Sequence, residues 1–352
     1  GACRTGAPAA PPAAARRDSA KRKAIYENVL FTPKQAEDVE RFFVSNYGSK
    51  IPLIWHKHFS AFTGNFDKTY FPELLFIPEF ERYMNFSDGY VTTFEDKNIL
   101  PYMAMAAGVK MPQTILSKTA GLVKNTNNEI LDENALMNEV RNIGMAFLKP
   151  TIDSCSGNGC RVVDVVDGVD TISNESISKI LQEIGDDWVL QNRIICHDSI
   201  AKIYPQSVNT FRIMTYRWKN EIKHVPMIMR IGQGGKHVDN AHAGGMFIAV
   251  DDDGTLHETA FTEFKEEYKE HPNTHVVFRG YKIEKVPLAL KAAIKCHTFL
   301  PQLGVINWDF TIDDTGTPVL IEANIRYGSI WLFEIAHGCG PFGQDTAEIL
   351  QW

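Results

Sequence analysis

The chain has 352 residues, a net charge of −7, and 44% hydrophobic against 22% charged residues. That composition fits a globular protein of about two domains and excludes wholesale disorder. The acidic balance argues against a nucleic-acid partner held on a basic surface, and no apolar run approaches the roughly 20 residues of a membrane span.

The six cysteines (Cys3, Cys155, Cys160, Cys196, Cys296 and Cys339) make no disulfide framework, so a reducing, cytoplasmic setting is expected. Residues 1–24 open Ala/Pro-rich and are expected to be a disordered tail or an expression remnant.

Residues 33–47 form the first clear amphipathic pattern, with Pro33 in the first turn and Val39, Phe42 and Phe43 on one side. Aromatic and proline-rich text follows, read as short helices and loops. A helix is expected from about Asp96 to Ala107, stopped by Gly108. AFLKP (146–150) and CRVVDVV (160–166) read as strands flanking the loop TIDSCSGNG. ISNESISKILQEIG is a helix with Ser173 and Ser176 as N-cap candidates, and WVLQNRII (188–195) is a strand. FRIMTYRW and HVPMIMRIG form a hairpin through Lys219-Asn220. The loop GQGGKHVDNAHAGG, the strand MFIAV, a helix in LALKAAIKCHTFLPQLG and a last hairpin, VINWDFTIDDTGTPVLIEANIRYG, complete the chain. Antiparallel hairpins mixed with helices point to an α+β class.

The last hairpin carries the chemistry. Alternation puts Ile306, Trp308, Phe310 and Ile312 on one face and Asn307, Asp309 and Thr311 on the other. On the returning strand Val319, Ile321, Ala323 and Ile325 oppose Leu320, Glu322, Asn324 and Arg326. Asp309, Glu322 and Asn324 thus offer hard oxygen donors from one face, a set suited to Mg²⁺, with Mn²⁺ as a substitute. Upstream, Lys149 ends a strand before a loop whose Gly157 and Gly159 let backbone N–H groups approach phosphate oxygens. No Walker A spacing occurs. Arg212 and Arg230 lie in otherwise apolar strands, where an unpaired guanidinium would be costly, so a phosphate or carboxylate partner is expected.

The order strand–Lys–Gly-rich loop–strand, a strand VLQNRI, then D-x₁₂-E-x-N-x-R resembles the ATP-grasp enzymes. LQNRIICHDSIAKIYPQSVNTFRIMTY, the run ending NAHAGGMFIAVD and NWDFTIDDTGTPVLIEANIRYG together resemble the sugar-transfer-associated ATP-grasp proteins. The resemblance implies two α+β subdomains clasping ATP: a lid region at 94–190 and a larger part with the metal site at 191–352, preceded by an N-terminal domain at 25–93. It implies phosphate contacts from Lys97 and Lys149, with Ser156, Gly157 and Gly159 as a lid. Gln191 and Asn192 would lie at the adenine and His197 near the ribose. Asp309, Glu322 and Asn324 would hold metal, and Asn240, Gly244 and Gly245 would line the acceptor side. Arg212, Arg230 and Arg326 would stabilise the reacting groups, with Arg326 beside the reacting carboxylate. The implied reaction joins a small-molecule carboxylate to an amine through an acylphosphate, with release of ADP. A kinase acting on a hydroxyl and a nucleotide-binding protein without turnover are the alternatives.

Overall fold

The computed structural model describes residues 20–151, 159–236 and 239–352. Two antiparallel sheets organise it. The smaller contains β1 (Thr114–Thr119), β2 (Leu122–Asn125), β3 (Gly144–Pro150), β4 (Arg161–Val166), β5 (Val169–Asp170) and β6 (Trp188–Asn192), in the order β2-β1-β6-β3-β4-β5. The helices Glu133–Val140 and Ile177–Glu183 cover one face, packing Val140, Ile177, Ile180 and Leu181 on Leu116, Leu148 and Leu190. Ser176 caps the second helix by accepting from Lys179 N at 3.3 Å. Ser173 instead donates to the Asp170 carboxylate, 2.6 Å away.

The larger sheet contains β7 (Thr210–Trp218), β8 (Glu221–His224), β9 (Met227–Ile231), β10 (Met246–Val250), β11 (Leu256–Phe261), β12 (Glu267–Tyr268), β13 (Val305–Ile312) and β14 (Pro318–Asn324). Its order is β12-β11-β10-β9-β7-β13-β14, with β8 pairing β7. One face is sealed by the helices Leu100–Ala106 and Val286–Thr298 over Ile213, Met229, Ile248, Trp308 and Phe310. The other face is sealed over part of its length by the helices Pro33–Tyr47 and Ile54–Thr63, the π-helix Phe76–Glu81 and the helix Ile330–His337, over Met214, Tyr216, Phe247 and Val305. The remainder of that second face carries polar side chains. Among the described residues no helix is long and apolar enough to cross a membrane.

The hairpin β13–β14 departs from strict alternation at one point. Asp309 pairs with Glu322 but Phe310 pairs with Leu320, so Ile321 is an extra residue in a β-bulge. The bulge flips the side-chain phase: Leu320 joins Phe310, Ala323 and Ile325 in the core instead of sharing a face with Glu322 and Asn324. It also leaves two neighbouring rungs, Asp309–Glu322 and Asn307–Asn324. Cross-strand partners point to the same side, which gathers two carboxylates and two amides.

Candidate active site

The second face of the large sheet carries a row of alternating charges. Arg212 on β7 grips Asp309 with two donors, its Nη2 3.0 Å from Oδ2. Arg230 on β9 lies 3.3 Å from the same Oδ2 and 3.1 Å from Asp239 Oδ1. Asp239 Oδ2 accepts from the backbone N–H and the hydroxyl of Thr210, and Arg230 Nε donates to that hydroxyl at 3.1 Å. All of these side chains are nearly removed from solvent; Asp309 is 1% exposed and Arg212 7%. Burial alone would push the Asp309 carboxyl up, but Arg212 and Arg230 outweigh it and hold it below the usual carboxylate range. Asp239 is raised, because burial outweighs its help from Arg230 and Thr210.

On the next part of the hairpin Glu322 meets two lysines from elsewhere. Lys97 Nζ lies 3.2 Å from its Oε1. Lys97 is not on a helix, as the sequence pattern suggested: the helix begins at Leu100. Its backbone N–H instead donates to Thr151 O at 3.2 Å, which ties it to the end of β3. Lys149 comes from β3 and reaches the carbonyl of the bulge residue Ile321, 3.5 Å away. Its burial pushes the ammonium pKa down; Glu322 pulls it back up and Lys97 lowers it further. The two sheets therefore meet at a seam where Lys97 and Lys149 face Glu322, while Arg212 and Arg230 face Asp309. Asn324 Nδ2, 3.4 Å from Asp309 Oδ2, joins the two halves.

The other expected site residues lie as follows. Ser156 and Gly157 are outside the described residues. Gly159 has φ +75° and packs so closely on Pro150 that an added Cβ would lie 2.9 Å from its ring, so the returning loop needs glycine there. Gln191 and Asn192 end β6; the buried Gln191 amide donates to Thr114 Oγ1 at 3.4 Å, and Asn192 to Gln113 Oε1 at 3.2 Å. His197 caps a short helix, its Nδ1 accepting from Ser199 N at 3.3 Å. Asn240 caps the turn Ala241–Ala243. Gly244 is left-handed and accepts from Gln233 Nε2 at 2.7 Å. A Cβ on Gly245 would meet Asp239 O at 2.6 Å. These three residues thus shape the loop that delivers Asp239. Arg326 is brought to Asp88 (3.3 Å) and Glu95 (3.8 Å), and not to Asp309 or Glu322.

Two contributors lie outside the set of site residues that the sequence pattern singled out. Asp239 sits in the quoted loop text, but only its contact with Arg230 reveals it. Asn307 shares the face of Asp309, is 1% exposed, and its Oδ1 has no hydrogen-bond partner. A buried amide oxygen without a donor is a natural cation or donor site.

The donor chemistry fits Mg²⁺ or Mn²⁺: carboxylate and amide oxygens on adjacent rungs, one of them orphaned. Asp309 is the exception, since both its oxygens are held by arginines. Among the described residues no group of three His, Cys, Asp or Glu side chains gathers at one point, because the third and fourth donors are amides.

A family profile described as sugar-transfer associated ATP-grasp matches residues 76–348. No curated protein matches the chain. Among solved structures it is similar to an L-amino acid ligase from Bacillus licheniformis, at 15% identity and TM-score 0.39, over 71% of this chain and 44% of that one. It is also similar to carboxyaminoimidazole ribonucleotide synthase from Aspergillus clavatus, complexed with ATP, at 13% identity and TM-score 0.42, over 68% and 47%. A third is VanG D-Ala:D-Ser ligase from Enterococcus faecalis, at 12% identity and TM-score 0.42, over 73% and 60%. The chain spans about half the length of these structures. The profile covers most of the chain, from the π-helix to the last helix, and the chain belongs to the sugar-transfer associated ATP-grasp family.

Proposed function

We propose that the chain is an ATP-dependent ligase that activates a carboxylate as an acylphosphate and transfers the acyl group to an amine. The observation that carries this reading is the seam: four cationic side chains, three from the two sheets and Lys97 from the segment before a helix, face one hairpin whose polar rungs are carboxylate and amide. Lys149, supplied by the smaller sheet, and Lys97, tied to the end of β3 by its backbone bond to Thr151, suit the phosphate chain of ATP. Arg212 and Arg230, supplied by the larger sheet, suit the carboxylate that attacks and the charge that builds on the transferred phosphoryl group. The carboxylate oxygen forms a bond to the γ-phosphorus as the bond to ADP breaks. The amine nitrogen then attacks the acyl carbon, inorganic phosphate leaves, and the amine gives up a proton.

Asp309, Glu322 and Asn324 are the residues that would hold Mg²⁺, which supplies neutralisation of phosphate charge. The protein's own part is positioning. The bulge at Ile321 aims a backbone carbonyl at Lys149, and Thr151 fixes Lys97. Burial of both arginines keeps their guanidiniums weakly hydrated and ready to pair.

The test is ADP release with a panel of small carboxylates, uronic and amino acids included, in the presence of hydroxylamine. Carboxylate-dependent ADP release with hydroxamate formation is expected. ADP release that yields a phosphorylated acceptor and no hydroxamate would make the chain a kinase, and no turnover with any acceptor would leave a nucleotide-binding protein.

A further inference from the structure

We propose that Arg22 and Glu263 are positioning residues for the acceptor side of the reaction: together, and through His242, they anchor the loop 239–245. The anchor stands on geometry alone, whereas its effect on the reaction rests on the ligase reading above. At one end of the loop, Asp239 is fixed by Thr210 and Arg230. Further along, His242 N donates to Asn240 Oδ1, Gly244 N to Ala241 O and Gly245 N to Asn240 O, each at 2.9 Å. Gln233, from the same connection between β9 and β10, donates to Gly244 O at 2.7 Å. These bonds give the turn its shape. The His242 ring ties the turn to another part of the sheet: its Nδ1 lies 2.7 Å from Glu263 Oε2. The other oxygen of Glu263 pairs with the guanidinium of Arg22, 241 residues away in the chain.

Glu263 follows β11, two residues past Phe261. Phe261 stands opposite Phe247 on β10, and Phe247 stands opposite Arg230 on β9. The carboxylate therefore lies two strands from Arg230 toward the sheet edge, and the loop runs between them. The Glu263 side chain is 8% exposed and that of Arg22 15%, so both charges are largely out of water and each depends on the other. A tether for the N-terminal helix alone would occupy one carboxylate oxygen; here the second goes to the loop. Arg22 and His242 also rest on one indole, the guanidinium 5.9 Å and the imidazole 6.1 Å from the Trp331 ring centre. The helix Ala20–Tyr26 that carries Arg22 is seated in turn. Lys21 lies 5.0 Å from the Phe264 ring centre, and Tyr26 meets His58 edge-on at 6.0 Å.

On the ligase reading, Asn240, Gly244 and Gly245 line the acceptor side. A loop held at Asp239 alone could pivot there and present these residues at varying distances from the reacting carboxylate. Holding it at His242 as well sets one position. A misplacement of about 1 Å can cost on the order of a hundredfold in rate. Lys97 and Lys149 stand on the far side of the seam, against the β14 strand, so ATP should not feel the anchor.

The experiment compares Arg22→Met, Arg22→Lys and Glu263→Gln in the full chain. Arg22→Met keeps an apolar stem over Trp331 and removes the charge; Arg22→Lys restores the charge. The first readout is hydrogen exchange of the Gly244 and Gly245 amides, with no substrate present. Exchange is expected to be roughly tenfold faster in Arg22→Met and in Glu263→Gln, as suits the loss of one charge-assisted bond. Arg22→Lys should exchange near the wild-type rate, and the double variant Arg22→Met/Glu263→Gln no faster than either single one, because the pair acts as a unit. The second readout is ADP release with the carboxylates of the panel above at fixed hydroxylamine. In Arg22→Met, kcat/KM for the carboxylate should fall roughly tenfold while KM for ATP stays unchanged; a mere loss of folded protein would lower kcat and leave both KM values alone. Wild-type exchange in both Arg22→Met and Glu263→Gln would overturn the proposal. So would a loosened loop with unchanged kcat/KM for the carboxylate, or an equal rise in KM for ATP. If no carboxylate supports ADP release, the ligase reading fails, and the exchange rates alone decide whether Arg22 and Glu263 anchor the loop.

Discussion

Replacing Asp309 with asparagine should damage the fold as well as the chemistry, and the structure says by how much. Asp309 is 1% exposed. Among the described residues it is the only carboxylate touching Arg212, and it shares Arg230 with Asp239. The asparagine would keep the volume but leave Arg212 buried without a counter-charge. Breaking a buried pair by removing one partner costs about 3–5 kcal/mol, a large part of a typical total stability of about 5–15 kcal/mol. Glu322→Gln provides the contrast. The glutamate side chain is 33% exposed and pairs with Lys97 at 3.2 Å, so removing its charge should cost less than removing that of the fully buried Asp309. Both variants should lose Mg²⁺-dependent ATP turnover, but only Asp309→Asn should unfold early in urea. Adding Arg212→Met to Asp309→Asn should recover part of the loss, because it removes the orphaned charge. An Asp309→Asn protein as stable as the wild type would refute the claim that Asp309 neutralises the buried guanidiniums. Full turnover by Glu322→Gln would refute the role given to the hairpin.

Lys149 should take up a proton when ATP binds. Burial depresses its pKa in the free protein and a bound phosphate raises it, so affinity should fall as pH rises through the free-protein value; calorimetry in buffers of different ionisation enthalpy reads the uptake. Glu81, raised to about 7 chiefly by burial, holds Tyr327 N and Gly328 N at 2.7 Å each. Because its folded pKa exceeds the unfolded one, its contribution to stability should be full below about 4.5 and lost as pH rises through about 7; Glu81→Gln should flatten that part of the stability–pH curve. Gly245→Ala should cost about 1–3 kcal/mol in denaturant melts and lower kcat, since the new Cβ meets Asp239 O at 2.6 Å and displaces the carboxylate that holds Arg230. Arg326→Ala, whose partners Asp88 and Glu95 lie at the surface, the first almost fully and the second partly exposed, should change stability by under about 1 kcal/mol; a large fall in kcat with unchanged stability would return Arg326 to the reacting groups.

What was legible in the sequence is what depends on near neighbours along the chain. The polar face of β13, the strand-end position of Lys149 and the cost of burying Arg212 and Arg230 all follow from period-two alternation and residue type. What was hidden depends on which strand meets which. The bulge at Ile321 arises from the ladder register between β13 and β14, so strict alternation put Leu320 on the wrong face. Asp239 became a site residue only when β9 set Arg230 beside it. Lys97 is held by a backbone bond to Thr151 across more than fifty residues. Arg326 continues the polar face by count, but the strand has already ended at Asn324, and Asp88 and Glu95 draw the guanidinium outward.

The charge pattern also explains how so polar a seam stays folded without a ligand. Asp239, Asp309 and Glu322 lie among Arg230, Arg212, Lys97 and Lys149, three carboxylates against four cations. Each guanidinium has a carboxylate within reach, so neither stands buried alone. With Lys149 protonated the seam carries one surplus positive charge, which a polyanionic substrate offsets while giving the arginines a second partner. On the proposed function, Asp309 is then the one group that must serve two masters: counter-ion to the arginines before the substrate arrives, and oxygen donor afterwards. Such an exchange makes affinity for the nucleotide depend on how firmly Arg212 grips Asp309. Arg212→Lys, which keeps the charge but loses the two-pronged grip, should therefore alter nucleotide affinity and metal dependence together. Affinity changed with metal dependence untouched would mean that Asp309 never leaves the arginines.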